Sequence, residues 1–351
     1  MKERIRGSLL GAAIGDAMGS ATETMSEKRI LQVHGESVMS FLTPSEGNIA
    51  YGREAGQITE SFGIAQALLT TIAEKDGECS TQVGKEALLK WAEDEAVFEQ
   101  FAGMTTKKVI NTLRDQGSKM NYWEYSGRLG TKLFKSHFYA LSSNGAATKA
   151  FIPGLINVDN IDRGIQDTID ITMSSHDDVH SISGACAVAA ATCQALREGA
   201  TVESIVDAAF YGAEEGIARS RVHALHYPGP SVIKRIEMAV KLALRGASPE
   251  ERIQSLVDYI GTGPAIAETV PVALGILIIR NGALMPAIYD AVNIGDETSA
   301  IATIVGAIGG AYQGDSTIPF ELEESIQKQN HLQIDELVKI VEQLQRKWTE
   351  A

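Results

Sequence analysis

Cysteine is scarce in this chain of 351 residues: Cys79, Cys186 and Cys193 are the whole complement, and no two of them stand in C-x-x-C spacing. A disulfide-stapled scaffold and a cysteine-based zinc site are therefore excluded. Cys186 and Cys193 fall in an alanine-rich run where small buried residues are expected, so the thiols are read as reduced core groups. Long hydrophobic runs are also missing, and no uninterrupted apolar stretch reaches the roughly 20 residues that span a bilayer. The N-terminus places basic residues before G-S-L-L-G-A-A-I-G, yet Asp16 interrupts that run and no cleavage pattern follows. The expectation is a cytoplasmic protein with no membrane partner. Positive charge is the minority sign, with 31 Lys and Arg against 45 Asp and Glu and a formal net charge of −14. That balance argues against a nucleic-acid partner, and any phosphate-bearing ligand must be held by local donors.

Strand signals are absent as well. No alternation of apolar and polar residues persists, and the Asn144-Gly145 pair lies in a segment without flanking β-branched runs. The chain reads as all-α. No repeat, low-complexity tract or linker divides it, which favours one domain over residues 1–351.

What is present is best seen in the stretch 293–314, N-I-G-D-E-T-S-A-I-A-T-I-V-G-A-I-G-G-A-Y-Q-G. Ile301, Ile304, Val305 and Ile308 recur at i, i+3, i+4 and i+7, and nearly every other face is apolar too, so this is a helix buried on all sides. Gly306, Gly309 and Gly310 each weaken a helix by about 1 kcal/mol relative to Ala, which points to another helix in close contact. Asp296, Glu297, Thr298 and Ser299 crowd its mouth. A buried carboxylate needs a partner, which could be a metal, a ligand or the helix N-terminus itself. The capping alternative, with Asp296 or Ser299 closing the first turn, stays open.

The same arrangement recurs along the chain. Small and apolar residues at helical spacing over 5–18 form a buried helix whose end delivers Asp16 and Glu23 to a polar site, although taken alone Glu23 reads more often as an exposed loop acid. Thr59, Glu60 and Ser61 open the apolar helix that runs through Ile64, Leu68 and Ile72. The segment 139–154 is rich in Ser, Asn and Gly and reads as a loop exposing backbone N–H groups, or as an ordinary surface connection. His176, Asp177 and Asp178 precede a helix dominated by small residues. Pro271 is placed near the first turn of a long apolar helix, where proline is tolerated. Polar clusters at several buried helix mouths could converge on one cleft.

In order and over about residues 5–314, these landmarks resemble the ADP-ribosylglycohydrolase family. G-A-A-I-G-D-A-M-G-S-A-T-E matches the opening motif that ends in a functional glutamate, here Glu23. G-Q-I-T-E-S-F falls where the family has T-D-D-T, S-N-G-A-A-T-K-A-F-I-P-G on its Asn-Gly loop, S-S-H-D-D on its Ser-His motif, and N-I-G-D-E-T-S on its G-D-T-D-T motif. E-T-V-P-V-A-L and the helix ending G-A-I-G-G-A-Y-Q-G also agree. The resemblance implies an all-α orthogonal bundle that hydrolyses an N- or O-linked ADP-ribosyl group at the anomeric carbon. It further implies a cleft with Mg²⁺ or Mn²⁺, metal positions at Thr59, Glu60, Ser61, Asp296, Thr298 and Ser299, and substrate contacts from Asn144, Gly145, His176 and Asp178. Hard divalent cations take oxygen ligands and can orient ribose hydroxyls and a water. Glu23 and Asp296 are the expected catalytic pair, one of them acting on water or on an oxocarbenium-like transition state.

The departures from the family pattern are specific. Glu60, Ser61 and Phe62 stand for D-D-T of the first metal motif, and Thr298 and Ser299 for the final D-T of the second. Two of four aspartates are thus replaced by neutral hydroxyls, which removes two negative charges from a site meant for two dications. One ion or none is the expectation. Three functions follow: a hydrolase of an ADP-ribosyl or ribosyl group with a reduced metal site, a hydrolase of a smaller nucleoside-like N-glycoside, or a non-catalytic relative that binds a ligand. The partner in each case is a small molecule or an ADP-ribosylated substrate.

Overall fold

The computed structural model of the protein describes residues 1–116, 142–246 and 248–349. Among them lie 17 α-helices and no strand, the orthogonal helical bundle expected from the sequence. The N-terminal third runs α1 (Lys2–Gly19), α2 (Glu27–His34), α3 (Glu60–Glu74), α4 (Thr81–Trp91), α5 (Glu95–Phe101) and α6 (Met104–Gln116). A 3₁₀ turn at Asn144–Ala146 leads into α7 (Phe151–Ile156), α8 (Ile161–Thr172), α9 (Val179–Ala195), α10 (Val202–Ser220), α11 (Val232–Ala243) and α12 (Pro249–Tyr259). Then come α13 (Ile266–Ile279), α14 (Leu284–Asn293), α15 (Thr298–Gln313), α16 (Phe320–Asn330) and α17 (Ile334–Thr349).

The architecture is built on α1 against α15. Every described residue of α15 from Thr298 to Ala311 is buried, as its all-round apolar pattern requires. Its glycines have a clear purpose: a Cβ on Gly11 would collide with the Gly306 carbonyl, and a Cβ on Gly306 with the carbonyl of Gly11. Because Gly7, Gly11, Gly15 and Gly19 are spaced by four, one bare stripe of α1 lies along Gly310, Gly306, Ala302 and Ser299. The Ser8 hydroxyl donates to the Ala307 carbonyl at 2.8 Å and satisfies one of the few polar groups in this contact. This backbone-to-backbone packing fixes the exit of α1 beside the entrance of α15. Around the pair, a continuous apolar core draws on α3, α7, α9, α13, α14 and α17.

Two details differ from the sequence reading. The segment 142–156 is a 3₁₀ turn followed by a short helix, and the Asn144 and Ala147 amides bond to Pro264 and Asn144 carbonyls, so most of its N–H groups are used internally. Residues 139–141 of that loop lie outside the described residues. Pro271 sits beyond the first turn, inside α13. All three cysteines are free thiols, Cys186 and Cys193 buried and Cys79 half-buried. Among the described residues no helix is long and apolar enough to cross a membrane.

Candidate active site

Most peripheral helices cap themselves. Ser26, Ser80, Asp94, Asn160, Thr201, Ser231 and Ser248 each accept an N–H of their own first turn. Neither α3 nor α15 does, since Thr59 and Glu297 make no side-chain cap. Carboxylates from the end of α1 serve instead. Asp16 Oδ2 accepts from the backbone N–H of Thr59 at 2.8 Å and of Phe62 at 3.1 Å, and Oδ1 accepts from the Thr59 hydroxyl. Glu23 Oε2 accepts from the Ser299 N–H at 2.7 Å and from the Thr298 hydroxyl at 3.1 Å. Both carboxylates gain from the positive end of a helix they do not belong to.

These two helix mouths open on one cleft of about 750 Å³, which is also lined by Ser143, Asn144, Gly145 and the start of α6. Among the described residues three carboxylates face it: Glu23, Glu60 and Glu297. Glu60 Oε2 accepts from the Gly103 N–H at 2.8 Å, tying α3 to α6. Glu297 Oε2 accepts from Asn144 Nδ2 at 2.8 Å, and the same amide donates to Thr269 Oγ1 at 3.2 Å. Burial raises the proton affinity of all three, and neighbouring acids add to it at Glu23 and Glu297. Burial, and then the neighbouring Glu297, hold the Glu23 carboxyl well above the usual range. Glu297 is raised by burial, against the pull of Asn144, and by Asp296 and Glu60. Glu60 is raised by burial, while Thr106, Gly103 and Lys149 favour its charged form.

Behind this surface runs a buried polar chain. Lys149 Nζ donates to the Gly145 carbonyl at 2.7 Å and to Ser175 Oγ at 3.3 Å. Ser175 Oγ meets His176 Nδ1 at 2.8 Å, and His176 Nε2 meets Ser143 Oγ at 2.7 Å. Burial, together with Lys149, holds His176 well below its ordinary value and therefore neutral at pH 7. Burial likewise pushes Lys149 down to about 8, with Glu60 pulling the other way. His176 thus meets the cleft through the Ser143 hydroxyl.

The structure brings Glu23, Thr59, Glu60, Ser61, Asn144, Gly145 and Ser299 to the cleft. Asp178 is elsewhere: it caps α9, accepting from the His180 and Ser181 amides at 3.0 Å each and from the Ser142 and Ser181 hydroxyls. Thr298 is fully buried and donates to the Gly19 carbonyl at 2.8 Å. Asp296 lies on a second cavity of about 530 Å³ with Thr24, Glu27 and Lys28. The cause is local backbone. Gly295 and Asp296 both have positive φ, 96° and 61°, and the peptide of Asp296 is stitched to the chain after α1 by Asp296 N–H to Met25 O and Thr24 N–H to Asp296 O, both 2.8 Å. That turn directs Asp296 away from the cleft, and Glu297 takes the place beside Glu23. Sequence reasoning passed over Glu297, although it stood in the polar cluster at the mouth of α15.

The Mg²⁺ or Mn²⁺ ions implied by the resemblance find no matching donor set here. Among the described residues, no three or more His, Cys, Asp or Glu are grouped so as to hold an ion. The hydroxyls of Thr59 and Thr298 donate to Asp16 and Gly19, and Asp296 faces the other cavity. Of the implied positions, Thr59, Glu60, Ser61 and Ser299 line the cleft, one carboxylate and three neutral hydroxyls, which does not fit a two-ion centre.

Known proteins place the chain. A relative from Escherichia coli K12, the uncharacterized protein YegU, is 26% identical over 334 residues, 94% of this chain and 93% of its own length. An uncharacterized protein of Archaeoglobus fulgidus is 23% identical over 320 residues, covering 89% of this chain and 88% of its own. A solved chain described as an ADP-ribosylglycohydrolase-related protein complex superposes with a TM-score of 0.66 over 98% of both chains at 16% identity, a likeness of fold. The sequence model of the ADP-ribosylglycohydrolases matches residues 1–351, and on that end-to-end match the chain belongs to the ADP-ribosylglycohydrolase family.

Proposed function

We propose that this protein hydrolyses a glycosidic bond at the anomeric carbon of a ribosyl or ADP-ribosyl group, with Glu23 and Glu297 as the proton-handling pair. The observation that carries this reading is that the two carboxyls share one cleft and the charge of Glu297 raises the proton affinity of Glu23. Two acids pushed apart in this way can divide the work of general acid and general base. Glu23, whose carboxyl burial and Glu297 hold well above the usual range, gives its proton to the departing group. Glu297, held by Asn144 Nδ2, ionises first; as carboxylate it takes a proton from water or faces the cationic transition state. Geometry favours Glu297 over Asp296 for this role, because Asp296 belongs to the second cavity. Asn144 orients Glu297, while Ser143, backed by neutral His176, offers a hydroxyl to a ribose oxygen.

The test is release of free ribose or ADP-ribose from a panel of ribosylated compounds, with EDTA and with added Mg²⁺, for the wild type, Glu23→Gln and Glu297→Gln. Turnover abolished or strongly reduced in both variants supports the pair. Absence of turnover on every compound in both media favours the third reading, a non-catalytic relative.

A further inference from the structure

Beneath the cleft a lysine is sealed into the protein. Lys149 is 4% exposed, and its ammonium donates to the Gly145 carbonyl at 2.7 Å and to Ser175 Oγ at 3.3 Å. Burying an ammonium is costly, and the chemistry proposed for Glu23 and Glu297 makes no use of this one. From it a line of contacts runs to the cleft: Ser175 Oγ meets His176 Nδ1 at 2.8 Å, His176 Nε2 meets Ser143 Oγ at 2.7 Å, and Ser143 lines the cavity. The far end is fixed in place, because the Asn144 N–H donates to the Pro264 carbonyl and the Ile266 N–H to the Ser142 carbonyl, both at 2.9 Å. The chain on either side of Ser143 is thereby held to the entrance of α13.

Each donor in this line is decided by the one before it. A lysine ammonium has three protons to give and accepts none, so Ser175 Oγ receives from Lys149. The Ser175 hydroxyl proton cannot then point at Nζ, and the ring nitrogen 2.8 Å away takes it. His176 is neutral, and a neutral imidazole that accepts at Nδ1 carries its proton on Nε2. Nε2–H therefore donates to Ser143 Oγ, and the Ser143 proton, unable to point back at the ring, is turned to the cleft. Two hydroxyls and a neutral imidazole pass a hydrogen bond equally well in either direction, so the lysine is what gives the line its sense.

We infer that Lys149 is a positioning residue that polarises this line, fixing His176 as the Nε2–H tautomer and making the Ser143 hydroxyl a donor to an acceptor oxygen of the ligand. That this oxygen belongs to a ribosyl group rests on the hydrolase reading; the tautomer does not.

Nitrogen NMR of the full ¹⁵N-labelled chain at pH 7 without ligand reads the tautomer directly, because protonated and unprotonated ring nitrogens resonate far apart, and His176→Gln identifies the signals. The wild type is expected to show Nε2 protonated and Nδ1 bare. Lys149→Met, or Lys149→Leu where methionine is not accommodated, should gain a population protonated at Nδ1. A wild-type His176 protonated at Nδ1, or a variant with the wild-type pattern unchanged, would overturn the inference. Calorimetry with ADP-ribose and with ribose then follows the effect into the cleft. Ser143→Ala and Lys149→Met should each lower affinity about fivefold, the worth of one hydrogen bond, and the double variant should lose no more than either alone. Losses that multiply in the double variant would overturn the inference, since Lys149 would then act otherwise than through Ser143. A wild type that shows the stated tautomer and binds neither compound would instead tell against the ribosyl reading of the cleft and leave the tautomer set by Lys149 standing.

Discussion

Glu23 Oε2 accepts a hydrogen bond from the backbone N–H of Ser299 at 2.7 Å, across 276 positions of sequence. This contact closes the first turn of α15 and simultaneously sets the Glu23 carboxyl beside Glu297, so one residue serves both stability and the proposed chemistry. If Glu23 is the acid, activity falls as pH rises through its elevated pKa; if Glu297 is the base, activity falls as pH drops through its own. Glu23→Gln and Glu297→Gln are each expected to lower turnover by about 10²- to 10⁴-fold, the usual worth of general acid–base catalysis. The residual activity of Glu297→Gln should carry an alkaline limb moved to lower pH, because the neighbouring negative charge that raises Glu23 is gone. A pH–rate profile for each variant reads both effects, and an unmoved alkaline limb would remove Glu23 as the acid.

The metal motifs yield a second expectation. Ser61 lines the cleft next to Glu60, whereas Thr298 is buried with its hydroxyl on the Gly19 carbonyl. The wild-type protein should bind fewer than two tight divalent ions per chain, and Ser61→Asp should strengthen Mg²⁺ or Mn²⁺ binding by about tenfold or more by adding a charged oxygen ligand. Thr298→Asp, by contrast, places a second acid against Glu23 away from the cleft and should cost about 3 kcal/mol of stability. Calorimetry for the ions and urea denaturation for stability check the two halves separately. Two tight ions in the wild type would defeat the first half.

Gly11 is expected to be intolerant of substitution. A Cβ there meets the Gly306 carbonyl, a rigid backbone group that cannot swing aside as a side chain would. Gly11→Ala should therefore destabilise the fold by about 3 kcal/mol, at the upper end for overpacking, although alanine is the better helix former. Denaturant midpoints decide this, and a stabilised variant would show that α1 and α15 are not in backbone contact.

Asp177 carries a buried carboxyl oxygen with no hydrogen-bond partner among the described residues, and burial together with Asp178 pushes the group up to about 7. The unfolded chain ionises at about 4. A folded pKa above the unfolded one means that stability is greatest at low pH and is lost as pH rises from about 4 through about 7. Asp177→Asn removes that dependence. Relative to wild type it should be stabilised by about 2 kcal/mol at pH 8 and by little or nothing at pH 4. Urea midpoints at the two pH values measure the difference, and a gain equal at both would rule out titration as its origin.

The sequence by itself determined a good deal. Periodicity and small-residue content defined α1, α3, α9 and α15, and Gly306 and Gly310 announced a close helix contact before its partner was known. The polar residues gathered at helix mouths marked where the cleft would lie, and Glu23, Glu60, Asn144 and Ser299 are all there. These features are legible because helix periodicity and capping chemistry are local.

What only the tertiary structure decided was the direction of individual side chains within each cluster. Asp296 and Glu297 are neighbours with the same charge, and nothing local distinguishes them. The choice is made by the pairing of residues 295–296 with 24–26, which holds two successive residues at positive φ and turns one carboxylate outward and the other in. In the same way Asp178, beside a neutral buried His176, is consumed as the cap of α9, while Asp16 and Glu23 cap helices that have no cap of their own. A buried polar group goes to whichever unpaired donor the fold brings within reach, and donors some 40 or 280 residues away leave no trace in the neighbouring sequence.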